Sequence, residues 1–175
     1  MGAVGEKINS TISMTICGNC AIKNVENNRS IIMTELEARK EAMLAFLKKN
    51  TFISYFDLEI VELGPDKTVG RIPFAEKLLN PYGTAHGGCL YAIADTVGGT
   101  LANMNGRLVT TVNGSMNYLE PACDTEYIYC EAKLVRCGKH LITVDIVLHG
   151  DDGKVFDTAA FTYFRSEQEL TAEVN

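Results

Sequence analysis

A glycine-rich loop that runs directly into an apolar helix constrains this chain more than any other stretch of its sequence. The loop, residues 80–88, is polar and tightly turned, with Pro81 and Gly83 as turn residues. The residues that follow are small and apolar on nearly every side of the predicted helix: Leu90, Ala92, Ile93, Ala94, Val97, Leu101 and Ala102. A helix that is apolar all round is expected to be buried. We therefore predict a buried helix that begins near Gly87.

The predicted helix carries a single acid. Between His86 and Arg107 the only charged side chain is Asp95. Burying a carboxylate is costly unless it is paired or hydrogen-bonded. Two interpretations remain open: Asp95 is an acid satisfied within the fold or at the helix surface, or it belongs to a functional site.

The start of the same helix has the properties of an anion-binding site. The backbone N–H groups of Gly87 and Gly88 lie in the first turn, where they have no partner within the helix. Glycine allows a ligand to approach the backbone closely, and the helix dipole adds partial positive charge. These groups could stabilise a carbonyl oxygen that becomes an oxyanion, while a carboxylate holds or deprotonates a water.

The spacing of Gly87 and Asp95 limits how they can act together. They are eight residues apart, which corresponds to ~12 Å along a helix axis. One reacting carbon cannot contact both groups of one chain. Either they are not parts of one site, or Asp95 comes from a second copy of the chain in a symmetric dimer. We favour the shared site.

Composition excludes several classes of function. The chain has 175 residues, of which 46% are hydrophobic and 22% charged, as expected for one globular domain. A net charge of −6 argues against nucleic-acid binding, although a local basic patch could hold an anionic ligand. No apolar run is long enough to span a membrane. The number of cysteines that we expect to be free thiols predicts a cytoplasmic location.

The cysteines do not predict a metal site. Cys17 and Cys20 form a lone C-x-x-C pair without the second pair that a structural zinc site requires. Cys89, Cys123, Cys130 and Cys137 lie in apolar or strand-like surroundings and are expected to be small core residues. We predict no metal.

The rest of the chain predicts an α+β domain. We expect a flexible extension over 1–32, one domain over 33–166 and a polar tail over 167–175. The domain would begin with a helix capped by Thr34 and Glu37. The predicted strands are Tyr55–Leu63, Thr68–Phe74, Leu108–Leu119, Glu126–Arg136, His140–His149 and Val155–Phe164. A curved antiparallel sheet wrapped around the central helix is the simplest architecture for this order.

Residues 36–165 resemble a known family. Asn80, Gly83, His86-Gly87-Gly88 and Asp95, followed by Tyr118-Leu119-Glu120-Pro121, look like the pattern of hotdog-fold acyl-CoA thioesterases of the PaaI-like, phenylacetate-degradation type. The resemblance implies a hotdog fold, a homodimer with composite active sites and in some cases a tetramer built from two dimers. It implies an acyl-CoA substrate and no separate cofactor, since coenzyme A is part of the substrate.

The resemblance also implies roles for individual residues. The N–H of Gly87, beside Gly88, would polarise the thioester carbonyl, and Asn80 and His86 would order the loop and help place the thioester. Asp95 of the partner subunit would activate water or attack directly, with Thr111 positioning that water; Thr110 is adjacent, and a slip of one residue would exchange the two. Arg136, Lys139 and His140 are available for the phosphates of coenzyme A, although a solvated turn explains them equally well.

Three functions are therefore compared. The resemblance favours hydrolysis of an acyl- or aryl-CoA thioester to the free acid and coenzyme A. A non-catalytic acyl-CoA sensor is an alternative, but such proteins tend to lose the carboxylate that Asp95 supplies. An enoyl-thioester hydratase is a weaker alternative, since it requires an Asp and a His closer together than His86 and Asp95.

Overall fold

The structure is a computed structural model that describes residues 18–171, with side chains described from residue 31. The described residues fall into two compact units that divide between Leu36 and Glu37. The first contributes the beginning of one helix, and the second contains all other elements. Cys17 and the side chain of Cys20 lie outside the described part, so the interpretation of the C-x-x-C pair stays a prediction.

The elements follow one another in the order expected from the sequence. The helices are α1 (Gly18–Leu47), α2 (Thr51–Ser54), a short 3-10 helix (Glu76–Leu78) and α3 (Gly87–Asn103). The strands are β1 (Glu59–Leu63), β2 (Lys67–Pro73), β3 (Arg107–Tyr118), β4 (Tyr127–Cys137), β5 (Leu141–His149) and β6 (Val155–Glu169). None of the described helices is long and apolar enough to cross a membrane.

The strands form one antiparallel sheet that packs around α3. The sheet has six strands in the order β1-β2-β4-β5-β6-β3, so β1 and β3 are its edges. Alternate residues of β4 and β5 point into the core: Ile128, Cys130, Ala132, Ile142, Val144, Ile146 and Leu148 are all fully buried. They pack with Ile93, Ala94 and Val97 of α3 in one hydrophobic cluster. The predicted hotdog arrangement is confirmed.

The first helix begins earlier than predicted. We expected it to start at Thr34, but α1 is continuous from Gly18 to Leu47. The helix is uninterrupted because residues 19–46 contain no glycine or proline. The Thr34–Glu37 pair therefore lies inside the helix, where its capping-box sequence does not mark a helix start. Within the second unit, Met43 of this helix is buried whereas the adjacent Leu44 is exposed.

The beginning of the first predicted strand is wrong. Residues 51–54 form α2, and β1 begins only at Glu59. The Oδ1 atom of Asn50 accepts a hydrogen bond of 3.1 Å from the N–H of Ile53 and caps the helix. Ile53 and Phe56 are the buried residues here, and a spacing of three is helical rather than strand-like.

Two further expectations need correction at the other end of the sequence. β6 continues beyond Phe164 to Glu169, which pairs with Arg107, because β3 extends far enough to continue the ladder. Cys89 and Cys130 are buried as predicted, but Cys123 is only half-buried and Cys137 is exposed.

A close contact between α3 and β6 depends on a glycine. The hydroxyl of Tyr163 on β6 lies 2.5 Å from the position of a Cβ atom at Gly98, and Ile146 Cδ1 lies 2.9 Å from it. At Gly99 the corresponding nearest atom, Tyr163 Cε1, is 3.5 Å away, an ordinary contact distance. Gly98 therefore lets β6 approach the helix closely enough for Tyr163 to reach it.

This contact predicts opposite results for two adjacent substitutions. Gly98→Ala should lower the free energy of unfolding by about 1–3 kcal/mol, because the added methyl overlaps Tyr163 and Ile146. Gly99→Ala is the matched control and should be neutral or stabilising by up to ~1 kcal/mol, since alanine favours the helix. Urea unfolding of both variants measures the difference; equal stabilities would contradict the packing described here.

Candidate functional site

The start of α3 is capped by the side chain of His86. The Nδ1 atom of His86 accepts a hydrogen bond of 2.9 Å from the N–H of Gly88. Nδ1 as an acceptor places the ring proton of a neutral His86 on Nε2. The N–H of Gly87 has no acceptor among the described residues. Of the two donors that the sequence suggested, the cap uses Gly88, and Gly87 remains available to a ligand.

The loop before α3 is held by Asn80. Its Oδ1 atom accepts hydrogen bonds from the N–H groups of Tyr82, at 2.9 Å, and Thr84, at 3.3 Å. Its Nδ2 atom donates to Thr84 Oγ1 at 2.8 Å. Asn80 is thus occupied within the loop, which fits a residue that orders the loop rather than one that binds the reacting atoms.

Tyr118 fixes the other side of the first turn. Its hydroxyl donates to the carbonyl oxygen of Gly87 at 3.0 Å. A Cβ atom at Gly87 would lie 3.1 Å from Tyr118 Cε1, so any other residue here would require the Tyr118 ring to shift by a few tenths of an ångström. In the sequence, Tyr118 is distinguished only as part of the family pattern, and its contact with Gly87 depends on the tertiary structure.

A cavity of about 360 Å³ opens beside Gly87, and we call it the Gly87 cavity. Its walls come from the loop, the start of α3, the end of β3 with the segment after it, and β6. The lining residues are Asn80, Thr84, Ala85, Gly87, Leu90, Tyr118, Leu119, Glu120, Pro121, Ala122 and Asp157. The free N–H group and a buried acid therefore line the same cavity.

Asp157 is the residue of this cavity that sequence reasoning missed. It is fully buried, and neither of its carboxyl oxygens has a hydrogen-bond partner. Burial raises the pKa of Asp157 to about 7. A signal was present, because Asp157 is the only charged residue between Lys154 and Arg165 in an otherwise apolar strand.

Asp95 is held by two hydroxyl groups. It is half-buried, and Thr111 Oγ1 donates to its Oδ1 atom at 2.8 Å. The hydroxyl of the buried Tyr163 donates to the backbone carbonyl oxygen of Asp95 at 3.0 Å. The contact is made by Thr111 rather than Thr110. The structure therefore brings together the carboxylate and the threonine hydroxyl that the resemblance pairs.

Asp95 and Gly87 of one chain line different cavities. Asp95 and Thr111 line a cleft of about 160 Å³, which we call the Asp95 cleft. The end of α1 forms its other wall with Met43, Phe46 and Leu47. Because α3 is continuous from Gly87 to Asn103, the eight-residue separation of ~12 Å is real. One chain does not bring the two groups into a single site.

A third cavity, of about 340 Å³, is lined by basic residues, and we call it the basic cavity. The lining residues are Arg107, Lys139, His140, Phe164, Arg165, Ser166 and Glu167, so four basic side chains share the wall with one acid, and Arg136 is not among them. The sequence did not suggest Arg107 or Arg165, because the pairing of β3 with β6 brings them together from distant positions. Among residues 31–171, no three His, Cys, Asp or Glu side chains could hold a metal ion together.

The raised pKa of Asp157 predicts a pH-dependent gain in stability when it is replaced. The unfolded carboxyl ionises near its ordinary pKa of 3.8, whereas the folded one holds its proton up to about 7. The folded chain thus binds the extra proton, and stability falls as pH rises through this window. Asp157→Leu should raise the melting temperature at about pH 8 more than at about pH 4.

Asp151 provides a control with the opposite sign. A hydrogen bond from Thr125 and others from backbone N–H groups hold the pKa of Asp151 below its usual range. Asp151→Asn should therefore lower the melting temperature at neutral pH, and the loss should shrink toward acidic pH. A gain for Asp157→Leu that did not grow with pH would contradict our description of the buried acid.

Comparisons with known proteins agree with this geometry. Residues 82–166 match the model of the thioesterase superfamily. A relative from Deinococcus radiodurans, named as a proposed esterase, is 28% identical over 120 residues, which are 68% of this chain and 82% of the relative.

Solved structures show the same fold. Escherichia coli PaaI, of the phenylacetic acid degradation operon, superposes with a TM-score of 0.71 at 18% identity over 77% of this chain and 99% of its own. A hypothetical thioesterase of Streptococcus pneumoniae, solved with coenzyme A, gives 0.63 at 27% identity over 67% and 92%. Residues 82–166 are therefore similar to the thioesterase superfamily, and the chain shares the hotdog fold of the PaaI structure.

Proposed function

We propose that the chain hydrolyses an acyl- or aryl-CoA thioester to the free acid and coenzyme A, at a site shared by two subunits. The observation that carries the proposal is the free N–H of Gly87 at the start of α3. It is combined with the carboxylate of Asp95 on the same helix, which accepts a hydrogen bond from Thr111 of β3. The first group suits a developing oxyanion and the second suits an attacking water.

The exposed edge of the sheet supports a dimer. β3 is an edge strand of 12 residues, and it leaves Val112 59% exposed. A long edge with exposed apolar residues is normally covered. Pairing with β3 of a second copy would cover it and join the two sheets.

Antiparallel pairing of two β3 strands would also complete the site. On β3, Thr111 contacts Asp95 and Tyr118 contacts Gly87. Halfway between them lie Gly114 and Ser115. A two-fold axis near this point would place Thr111 of one subunit opposite Tyr118 of the other. The Asp95 cleft of each subunit would then face the Gly87 cavity of its partner.

The proposed reaction gives each group a role. The thioester carbonyl oxygen accepts a hydrogen bond from the N–H of Gly87, and the helix dipole stabilises the negative charge that develops there. Asp95 of the partner subunit accepts a proton from water, and the hydroxide adds to the carbonyl carbon. Collapse of the tetrahedral intermediate breaks the carbon–sulfur bond, and the proton held by Asp95 passes to the leaving sulfur. Coenzyme A is thus released as the thiol, and Asp95 returns to its carboxylate form. His86 acts by capping the helix and so fixing the Gly87 donor.

The basic cavity is the proposed site for the phosphates of coenzyme A. Lys139 and His140, suggested by the resemblance, are joined there by Arg107 and Arg165. Four basic side chains in one cavity are a local exception in a chain of net charge −6. Phosphate groups favour such clusters, arginine above all. We infer no phosphate contact for Arg136.

Mixing two inactive variants tests the shared site. Asp95→Asn should lose most turnover, and Gly87→Val should lose it too, because the new side chain overlaps Tyr118 and displaces the donor. A dimer with one chain of each kind would contain one intact site and one doubly defective site. Co-refolding equal amounts should therefore restore about a quarter of wild-type thiol release.

The controls separate the possible failures. Each variant refolded alone should stay inactive while remaining dimeric. Restored activity would establish that the two groups come from different subunits, and no restoration from a confirmed mixed dimer would rule this out. Near-normal turnover by Asp95→Asn would contradict its role. Acyl-CoA binding without any wild-type turnover would instead favour the sensor.

Two valines on opposite edges test the dimer interface. Val112→Lys should disrupt pairing of β3 and give folded monomers with little activity, because lysine discourages edge-to-edge association. Val61, on the other edge strand, is 53% exposed, so Val61→Lys is the matched control. It should leave the dimer unchanged in sedimentation. A dimeric Val112→Lys, or a monomeric Val61→Lys, would place the interface elsewhere.

A further inference from the structure

Asp157 has no role in the proposed hydrolysis, although it lines the Gly87 cavity. It is the only fully buried charged residue in the part of the chain whose side chains are described. Both of its oxygens lack hydrogen-bond partners, and an unsatisfied buried polar group costs free energy. An acid of this kind requires an explanation beyond packing.

The elements around Asp157 supply no compensating charge. In the sheet, Tyr118 of β3 and Leu148 of β5 lie beside it, and Tyr118 already donates its hydrogen bond to Gly87. Cys130 of β4 is close enough to interact electrostatically. Burial first, and then the charge of Asp157, raise the pKa of Tyr118 and of the Cys130 thiol. Neither neighbour carries a positive charge that would stabilise ionised Asp157, and burial is the cause of its raised pKa.

The cavity as a whole has an anionic character. Besides Asp157 its lining residues include Glu120, and none of them is a Lys, Arg or His. Glu120 is exposed, with Lys154 Nζ at 3.6 Å, so solvent and this lysine weaken its field. Asp157 has neither contact with solvent nor a neighbouring lysine. An apolar acyl group would leave Asp157 unpaired.

A positively charged group would supply the hydrogen-bond partner and the opposite charge that Asp157 lacks. An ammonium group donates up to three hydrogen bonds and pairs with both oxygens of a carboxylate. Its approach would favour release of the proton of Asp157 to solvent, so that an ion pair forms within the cavity. Asp157 costs stability at neutral pH, and a destabilising group retained in a site is typical of a functional residue.

We propose that Asp157 is a specificity-determining residue that selects acyl groups carrying a protonated amine. The inference rests on the proposed function, since it places the acyl group in the Gly87 cavity while the carbonyl oxygen contacts the N–H of Gly87. The amine would lie on the acyl chain beyond the carbonyl carbon. The coenzyme A part of the bound substrate would extend out through the open side of the Gly87 cavity.

Pairs of substrates with matched shape test the proposal. β-Alanyl-CoA and butyryl-CoA differ by an ammonium in place of a methyl, and ε-aminocaproyl-CoA and heptanoyl-CoA form a longer pair. The readout is the ratio of kcat/KM for the amine to that for its isostere, measured by thiol release. We expect the wild type to favour the amine in at least one pair, by about tenfold or more, which is typical for a charged hydrogen bond.

Substitution of Asp157 assigns the preference to this residue. In Asp157→Leu, which should fold stably, the ratio should fall by about tenfold or more. Glu120→Gln removes the other acid of the cavity, and its ratio should change by less than about twofold because that acid is exposed. A ratio that Glu120→Gln lowers and Asp157→Leu does not would overturn the assignment.

The remaining outcomes also decide the question. A wild type that hydrolyses butyryl-CoA in an Asp95-dependent manner without preferring either amine would refute this inference and leave the proposed function intact. A hydroxypropanoyl-CoA that is preferred as strongly as β-alanyl-CoA would show recognition of a polar group rather than a cation, which also contradicts it. Absence of turnover on every acyl-CoA would defeat the proposed function itself.

Discussion

The burial of α3 is the constraint on which the rest of the structure depends. The helix presents Ile93, Ala94 and Val97 to the sheet, and all are fully excluded from solvent. Because the helix is apolar on nearly every side, it needs a sheet that curves around it. Its N-terminus nevertheless emerges beside a cavity, with one backbone donor left free. Burial of the helix thus fixes where Gly87 lies in the fold.

The same helix separates the two groups that the proposed reaction uses. Its continuity keeps Asp95 about two turns from Gly87, and no rearrangement of side chains can close this distance. The proposed pairing of two β3 strands would instead bring Asp95 of one subunit close to Gly87 of the other. The proposal of a dimer thus follows from helix geometry and from the edge position of β3.

The acids of the domain show how environment assigns different properties to the same side chain. Asp95 receives a hydrogen bond from Thr111 and remains half-buried. Asp157 is fully buried without a partner, and burial raises its pKa to about 7. The first accepts a hydrogen bond at a half-exposed position, whereas burial favours the protonated form of the second. Two acids on different elements could therefore divide catalysis and selection between them.

The sequence by itself determined the architecture and the choice of candidate site residues. The apolar helix after the glycine loop, the order of the strands and the selection of Gly87 and Asp95 as candidates all followed from local patterns, which depend on neighbours in the chain. The start of α1 and the end of β6 did not, since helix and strand limits depend on packing partners. Only the tertiary structure showed that Tyr118 contacts Gly87, that Thr111 rather than Thr110 reaches Asp95, and that Arg107 and Arg165 share a cavity. The lack of any partner for Asp157 is likewise a tertiary property, because hydrogen bonding and burial are decided by residues far apart in the sequence.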